Sequence, residues 1–182
     1  MGGWYLQPDC TMPSGESFVR QIKTGQEYFK EKFGVLPTTA INFDPFGHTR
    51  GLVQIISKCG QDSYLFMRPF SNQLELPSEQ FVWVGFDGSE IKSNRTTAYN
   101  SPLGHSVKKI EKDIKTLDNE VIASLWGVGN HGGGPSRKDL KQISEFIVQS
   151  KENGTEVLHS TPEQFFCFWI PYATSSETSS LS

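Results

Sequence analysis

The sequence of 182 residues has little cysteine and no long apolar run, and both shortages exclude classes of protein. Its three cysteines, Cys10, Cys59 and Cys167, are widely spaced and include no Cys-x-x-Cys pair. This pattern predicts neither a disulfide framework nor a cysteine zinc site, and it favours a reducing, cytoplasmic setting. No segment approaches the roughly 18 consecutive apolar residues of a membrane helix. The amino-terminal MGGWYLQPD is not the pattern of a secretory signal.

The sequence also lacks an excess of charge of either sign. It has 17 basic and 20 acidic residues, for a formal net charge of −3. This near balance argues against nucleic acid or an anionic membrane as the main partner, because both attract basic surfaces. With 36% hydrophobic and 20% charged residues, the chain has the composition of a packed domain.

Helical and strand periodicities alternate along the chain. We predict helices at 14–33, 50–58, 102–116 and 136–151 and from Thr161 onward. We predict strands at 38–43, 62–67, 81–86, 90–95, 121–126 and 155–159. The strands that flank Asp87-Gly88 are expected to form a hairpin. The alternation as a whole predicts an α/β fold with a parallel sheet and crossover helices, in which function lies at the carboxyl ends of strands.

The chain changes composition near its end. Residues 174–182 are rich in serine and contain one apolar residue, Leu181. Such a segment cannot bury enough apolar surface to offset the entropy of ordering it. We therefore predict a folded domain over 1–166 and a disordered or aberrant serine-rich tail over 167–182.

The first motif is AINFDPFGHTRG at 40–51. A buried strand delivers Asp44 directly into a proline turn, and Pro45 fixes the backbone beside the carboxylate. A carboxylate held in this way suits a nucleophile or a metal ligand. The spacing alone equally allows Asp44 to begin an ordinary turn before the next helix.

The second motif is GVGNHGGGPS, which begins at Gly127. Gly127, Gly129 and Gly132 fit the G-x-G-x-x-G pattern of a dinucleotide-binding loop. A proline follows the glycines, and no acidic residue ends the next predicted strand to hold a ribose. The loop can instead be a glycine-rich floor from which Asn130 and His131 project into a cleft, or a wide surface turn.

Five segments in order, GGWYLQPD, PSGES, AINFDPFGHTRGL, SYLFMRP and GVGNHGGGPSRKDL, resemble the α-mannosidases of glycoside hydrolase family 38, most closely the bacterial-type members. The resemblance spans about 2–166, and DPFGH is its most specific part. It implies a seven-stranded (β/α) barrel-like catalytic domain, here incomplete. It also implies one zinc ion and a retaining, two-step hydrolysis of α-mannosides through a covalent mannosyl-enzyme.

The resemblance assigns roles to individual residues. Asp44, the aspartate of DPFGH, falls on the family's nucleophile, which is also a zinc ligand. His48 and Arg68 fall on motif positions that line the same pocket. Trp4 and Asp9 belong to a block near the substrate.

The general acid of better-studied members is an aspartate in the loop that aligns with 129–132. Here the loop carries Asn130, which we expect to contact substrate, and His131. Because an imidazole can deliver a proton and an amide cannot, His131 is the candidate acid/base.

The family takes two further zinc ligands from a His-x-Asp motif upstream of GGW and one from a helix far downstream. Asp44 is then the one ligand within this sequence, whereas zinc sites typically need three or four. We therefore expect a fragment of an α-mannosidase that hydrolyses nothing alone.

The expected partner of the family enzyme is an α-mannoside oligosaccharide or glycoside. Two alternatives remain at this stage. One is a dinucleotide-dependent oxidoreductase that uses the loop 127–132, which predicts stabilisation by NAD. The other is a non-catalytic carbohydrate-binding domain, which predicts a cooperative melt and mannoside binding without zinc.

Overall fold

The computed structural model describes residues 3–129 and 133–169, within which the chain forms one sheet and five helices. The helices are α1 Gly15–Phe33, α2 Gly51–Lys58, α3 Ser106–Thr116, α4 Arg137–Glu152 and α5 Pro162–Phe168. The strands are β1 Thr39–Asn42, β2 Ser63–Phe66, β3 Gln80–Val84 and β4 Glu90–Arg95. The described residues fall into two compact units, one that comprises residues up to 95 and from 162 onward, and one that comprises 96–161.

The sheet lies in the first unit, and its strand order is β1-β2-β4-β3. β2 pairs in parallel with β1 and with β4, whereas β3 pairs antiparallel with β4. The predicted parallel sheet and the predicted β3–β4 hairpin are both confirmed. Because β1, β2 and β4 run in one direction, their carboxyl ends lie at the same edge of the sheet.

The core of the first unit surrounds β2. All four residues of β2 are buried, as expected for a central strand that is covered on both faces. α2 contributes Leu52, Val53 and Ile56, each fully buried, at the spacing of one helical face. The parallel strands are therefore joined to one another by backbone hydrogen bonds, and the sheet is held against α2 by packing of apolar side chains.

The amino-terminal segment crosses α1 at Gly25. The Tyr5 backbone N–H donates to Gln21 O at 2.9 Å, and the Trp4 indole N–H donates to Ile41 O at 2.8 Å. A Cβ on Gly25 would lie 2.7 Å from Trp4 O and would also collide with Trp4 C. Glycine at this position is thus what lets the segment bridge α1 and β1.

In the second unit, Asp139 joins the start of α4 to the start of α3. Ser136 caps α4 by accepting from the Asp139 N–H at 3.0 Å, and its hydroxyl donates to Asp139 Oδ2. The fully buried carboxylate also accepts from the Gly104 and Ser106 N–H groups, both at 3.2 Å. Asp139 therefore satisfies the N–H of the first residue of α3 and that of Gly104, two residues earlier.

Two predicted strands, 121–126 and 155–159, are wrong. Among the described residues neither segment pairs in a ladder, and the pairing nearest to them is the isolated bridge between Val128 and Gly134. An apolar run becomes a strand only where a neighbour accepts its backbone hydrogen bonds. The other elements agree with the sequence patterns within four residues at each end.

The larger architecture was expected to be an incomplete seven-stranded barrel, and the described sheet of four strands does not confirm the barrel. Residues 170–182, which hold most of the predicted tail, lie outside the described residues. Within residues 3–129 and 133–169, no helix has the length and apolarity needed to cross a membrane.

Replacing Gly25 with Ala tests the close approach of α1 to the Trp4 segment. An exposed helical Gly→Ala change stabilises by up to about 1 kcal/mol, but here the clash should lower the free energy of unfolding by about 1–3 kcal/mol. Chemical denaturation measures the change. Gly15→Ala is the matched control in the same helix, because its Cβ would meet nothing closer than Ile55 Cδ1 at 3.6 Å. Equal free energies of unfolding for the two variants would contradict the close approach of the Trp4 segment to Gly25.

A second prediction concerns Asp139 and acid. Burial alone would raise the pKa of this carboxyl, but hydrogen bonds from Ser136, Ser106 and Gly104 outweigh burial and lower the pKa from 3.8 to about 2. The stabilisation is therefore complete above about pH 4 and is lost as the pH falls toward 2. At pH 7, Asp139→Asn should lower the free energy of unfolding by about 1–3 kcal/mol.

Denaturant unfolding followed by circular dichroism at pH 7 and at stepwise lower pH checks this prediction. The difference in free energy of unfolding between wild type and Asp139→Asn should shrink below about pH 4. The exposed Asp118 supplies the control Asp118→Asn, which should follow the wild type. A difference in free energy of unfolding that stays constant down to pH 2 would show that ionisation of Asp139 does not contribute to stability.

Candidate active site

Asp44 and Arg68 meet at the carboxyl edge of the parallel strands. Asp44 follows β1 by two residues and Arg68 follows β2 by two residues. Arg68 Nε donates to Asp44 Oδ1 at 2.9 Å, and each side chain is 40% exposed. The guanidinium also lies over the Phe70 ring, with Cζ 4.9 Å from the ring centroid. A carboxylate is thus oriented by a cation at a point that solvent can reach.

His48 uses both ring nitrogens within the protein. Nε2 lies 2.7 Å from Arg68 O, and Nδ1 lies 3.2 Å from the Tyr64 hydroxyl. The ring packs at steep angles against Tyr64, Phe66 and Trp83, with centroid distances of 5.0–5.8 Å. Burial lowers the pKa of His48 below its ordinary 6.5, although the hydrogen bond to the Arg68 carbonyl opposes this shift. The ring is therefore neutral at pH 7.

A buried polar chain continues from Tyr64 to the end of β1. The Tyr64 hydroxyl lies 3.7 Å from Cys10 Sγ, and Asn42 Nδ2 donates to the same sulfur at 3.0 Å. Burial raises the pKa of the Cys10 thiol, and burial together with Cys10 raises the pKa of Tyr64 well above its usual value. Both groups therefore keep their protons at neutral pH.

The segment around Asp9 lies against the end of β1. Asn42 Nδ2 donates to Pro8 O at 2.9 Å, and the Phe43 N–H donates to Gln7 Oε1 at 3.1 Å. These bonds bring Asp9 to the edge that carries Asp44. The Asp9 carboxylate accepts from the Thr11 N–H and hydroxyl, at 3.0 and 2.9 Å.

Arg95, at the end of β4, fixes the loop that follows Arg68. Its side chain is 3% exposed and pairs with Glu79 through Nε at 2.5 Å and Nη2 at 2.8 Å. Its Nη1 donates to Pro69 O at 3.2 Å and to Leu74 O at 2.6 Å. The buried charge is thus paired and also hydrogen-bonded to backbone, which a buried ion requires.

Trp4 is placed differently from the other predicted site residues. It is 8% exposed, and its indole N–H supports β1 through the Ile41 carbonyl. The described contacts of Trp4 are therefore structural. Its contact with substrate stays a prediction.

Asn130 and His131 lie outside the described residues. The two arms of their loop are joined by a hydrogen bond from Val128 N to Gly134 O at 2.8 Å. A Cβ on Gly133 would collide with Val128 O, so the arms approach as closely as glycine allows. Since residues 121–126, directly before Gly127, form no strand, the dinucleotide-binding interpretation lacks the strand that its motif requires.

The described residues do not by themselves fit a zinc ion. Across 3–129 and 133–169, no cluster brings together three or more His, Cys, Asp or Glu side chains that could hold a metal. At Asp44, the candidate ligand, Oδ1 is engaged by Arg68. Because typical zinc sites have three or four protein ligands, Asp44 can serve as one ligand of a site that needs others.

The sequence reasoning missed Cys10, Asn42, Tyr64 and Arg95. A signal existed for Asn42, because it is an amide-bearing residue at the end of a predicted buried strand, two residues before Asp44. Tyr64 is likewise a hydroxyl-bearing residue in an apolar strand. Nothing local indicated that Cys10, 54 residues earlier, would contact it.

Comparisons with known proteins agree on one family. The model of the glycosyl hydrolases family 38 N-terminal domain matches residues 1–168. Alpha-mannosidase G of Dictyostelium discoideum is 33% identical over 91% of this chain and 16% of its own length. Human Alpha-mannosidase 2C1 is 29% identical over 93% of this chain and 18% of its own length. The chain therefore spans less than a fifth of these curated relatives.

The crystal structure of an alpha-mannosidase from Enterococcus faecalis V583 has a related fold. The two structures superpose with a TM-score of 0.69 at 18% sequence identity. The matched region comprises 91% of this chain and 20% of the Enterococcus chain. At this identity the likeness concerns the fold alone.

The environment of His48 predicts an acid-sensitive site. Because its folded pKa lies below 6.5, stability is full above pH 6.5 and is lost as the pH falls through the folded pKa. Nuclear magnetic resonance of the imidazole C–H protons should give a midpoint below 6.5. His48→Gln should flatten the loss of stability in that window, whereas His105→Gln, at an exposed position, should not. A midpoint above 6.5 would overturn the assignment of a neutral, half-buried ring.

Proposed function

This chain belongs to glycoside hydrolase family 38, and on that premise we propose that it carries the nucleophile of a zinc-assisted, retaining α-mannosidase. The observation that carries the proposal is the Asp44 carboxylate. It stands at the end of a parallel strand, is 40% exposed and is oriented by Arg68 at 2.9 Å. A nucleophile needs these three properties: a rigid support, access to substrate and a fixed direction.

In the proposed reaction, Asp44 attacks the anomeric carbon of a terminal α-mannoside while the glycosidic bond breaks. An acid gives its proton to the leaving oxygen, which leaves a mannosyl ester on Asp44. The same group then takes a proton from water as the water attacks the ester, and the carboxylate is restored. Only Oδ1 takes part in the pair with Arg68, so we assign the attack to Oδ2.

We assign the acid and base steps to His131, on the loop that in the family carries the acid. An imidazole can give and then take the proton near neutral pH. Asn130 on the same loop, together with Trp4, Asp9, His48 and Arg68, is proposed to shape the sugar pocket. The position of Asp9 beside the end of β1 supports its part in this set.

Zinc is proposed to hold sugar hydroxyls and to favour distortion of the ring. Asp44 would be the one zinc ligand from this chain, and the others would come from the segments that the family resemblance places upstream and downstream. β1, β2, β3 and β4 would belong to the seven-stranded barrel-like domain that those segments complete. We therefore propose that the 182-residue chain hydrolyses nothing by itself.

Asp44→Asn tests the nucleophile in a longer polypeptide that includes the upstream and downstream segments of the catalytic domain. The amide cannot form the mannosyl ester, so kcat on an aryl α-mannoside should fall by at least about 1,000-fold. Asp87→Asn, in the hairpin turn at the opposite edge of the sheet, should retain activity within about twofold, as expected for a surface site. Activity of Asp44→Asn within tenfold of wild type would exclude the assignment.

Two further measurements complete this test. A fluorinated mannosyl fluoride, which slows release of the ester, should leave a covalent label on the peptide that contains Asp44 when analysed by mass spectrometry. The 182-residue chain with added zinc should show no turnover. Turnover by that chain alone would contradict the proposal that its site is incomplete.

A further inference from the structure

We infer that His48 is a positioning residue for Asp44: it holds the backbone of Arg68, and the Arg68 side chain holds the carboxylate. The two steps are the contacts from His48 Nε2 to Arg68 O at 2.7 Å and from Arg68 Nε to Asp44 Oδ1 at 2.9 Å. The effect of His48 on catalysis rests on the proposed function. The two contacts themselves are observed whatever reaction the site performs.

The Arg68 carbonyl fixes the protonation of the ring. A carbonyl oxygen can only accept, so the hydrogen of the neutral imidazole must lie on Nε2. Nδ1 then carries a lone pair and accepts from the Tyr64 hydroxyl at 3.2 Å. Both nitrogens are used in this way, so the ring acts on the site through Arg68.

The same logic sets the direction of the remaining bonds. Since the Tyr64 hydrogen points to His48, the Tyr64 oxygen accepts from the Cys10 thiol at 3.7 Å. The sulfur in turn accepts from Asn42 Nδ2 at 3.0 Å. Asn42 is the last residue of β1 and lies two residues before Asp44, so the chain of contacts runs from the end of β1 back to the segment that directly follows it.

Two features make the circuit rigid. The ring of His48 is enclosed by three aromatic side chains, which restrict its rotation. The carbonyl after that of Arg68, on Pro69, is held independently by Arg95 Nη1 at 3.2 Å. Two consecutive carbonyls are therefore held by separate side-chain donors, which fixes the backbone from which the Arg68 side chain extends to Asp44.

Nuclear magnetic resonance of the 182-residue chain tests the positioning without catalysis. In wild type, His48 should show the nitrogen pattern of the Nε2–H tautomer, and the Arg68 Nε–H should exchange slowly. His48→Leu should speed exchange of the Arg68 Nε–H at least tenfold, and His48→Gln, which keeps a donor and an acceptor, should restore most of the protection. Tyr64→Phe removes the donor to Nδ1 but keeps the bond to Arg68, so its effect should be smaller.

The experiment has internal references. Arg50 Nε donates to Val84 O at 2.9 Å and Arg95 Nε pairs with Glu79, and neither contact involves His48. Their exchange should stay within about twofold of wild type, because each bond is made by a side chain and an acceptor other than those of His48 and Arg68. An Arg68 signal that does not respond to His48→Leu while the Arg50 signal remains intact would overturn the inference.

Kinetics in the longer polypeptide, which includes the upstream and downstream segments of the catalytic domain, supply the second readout. Misplacing a reacting group by about 1 Å can cost about 100-fold in rate. His48→Leu should therefore lower kcat about 10–100-fold with KM within about threefold, and His48→Gln should recover most of kcat. Equal losses in both variants, or a rise in KM with kcat unchanged, would contradict positioning.

The two readouts separate the two proposals. If the Arg68 exchange responds to His48 as expected but Asp44→Asn remains active, the proposed function fails and the geometric link stands. If Asp44→Asn is inactive but neither the Arg68 Nε–H exchange nor kcat changes in His48→Leu, the positioning role fails and the assignment of Asp44 as nucleophile stands.

Discussion

The carboxylate of Asp44 depends on a hydrogen bond one step away from it, because its partner Arg68 is itself held by His48. His48 donates from Nε2 to the carbonyl of Arg68 at 2.7 Å, and this fixes the residue whose side chain pairs with Asp44. An ion pair that is 40% exposed contributes little stability by itself, because solvent screens it. We attribute its orientation to better shielded partners, namely the half-buried ring of His48 and the buried Tyr64 hydroxyl.

The parallel sheet makes this arrangement possible. β1, β2 and β4 end at one edge, so Asp44, Arg68 and Arg95 converge although 24 and 27 residues separate them along the sequence. An antiparallel arrangement of the same strands would send alternate ends to opposite edges. The buried Arg95 then fixes the loop after Arg68, and the segment around Asp9 is tied to the end of β1 through Asn42.

Prediction from the sequence succeeded where local signals and tertiary partners agree. α1 begins after the capping residue Ser14 and ends before Gly34, and the β3–β4 hairpin turns at Asp87-Gly88. It failed at 121–126, where apolar residues alone predicted a strand that has no ladder in the described part of the chain. Asp44 and Arg68 were recognised from motifs, but their ion pair was not, because sequence spacing does not specify which strand ends are neighbours.

The sequence by itself determined the family, the helices with their caps, and the position of a carboxylate at a strand end. These properties depend on residue type and short spacing, which the linear chain contains. Only the tertiary structure decided that Cys10, Tyr64 and His48 form one directed hydrogen-bond chain and that it ends on the Arg68 carbonyl. The reason is physical: the direction of each bond follows from which acceptor is buried beside which donor, and folding alone brings those groups together.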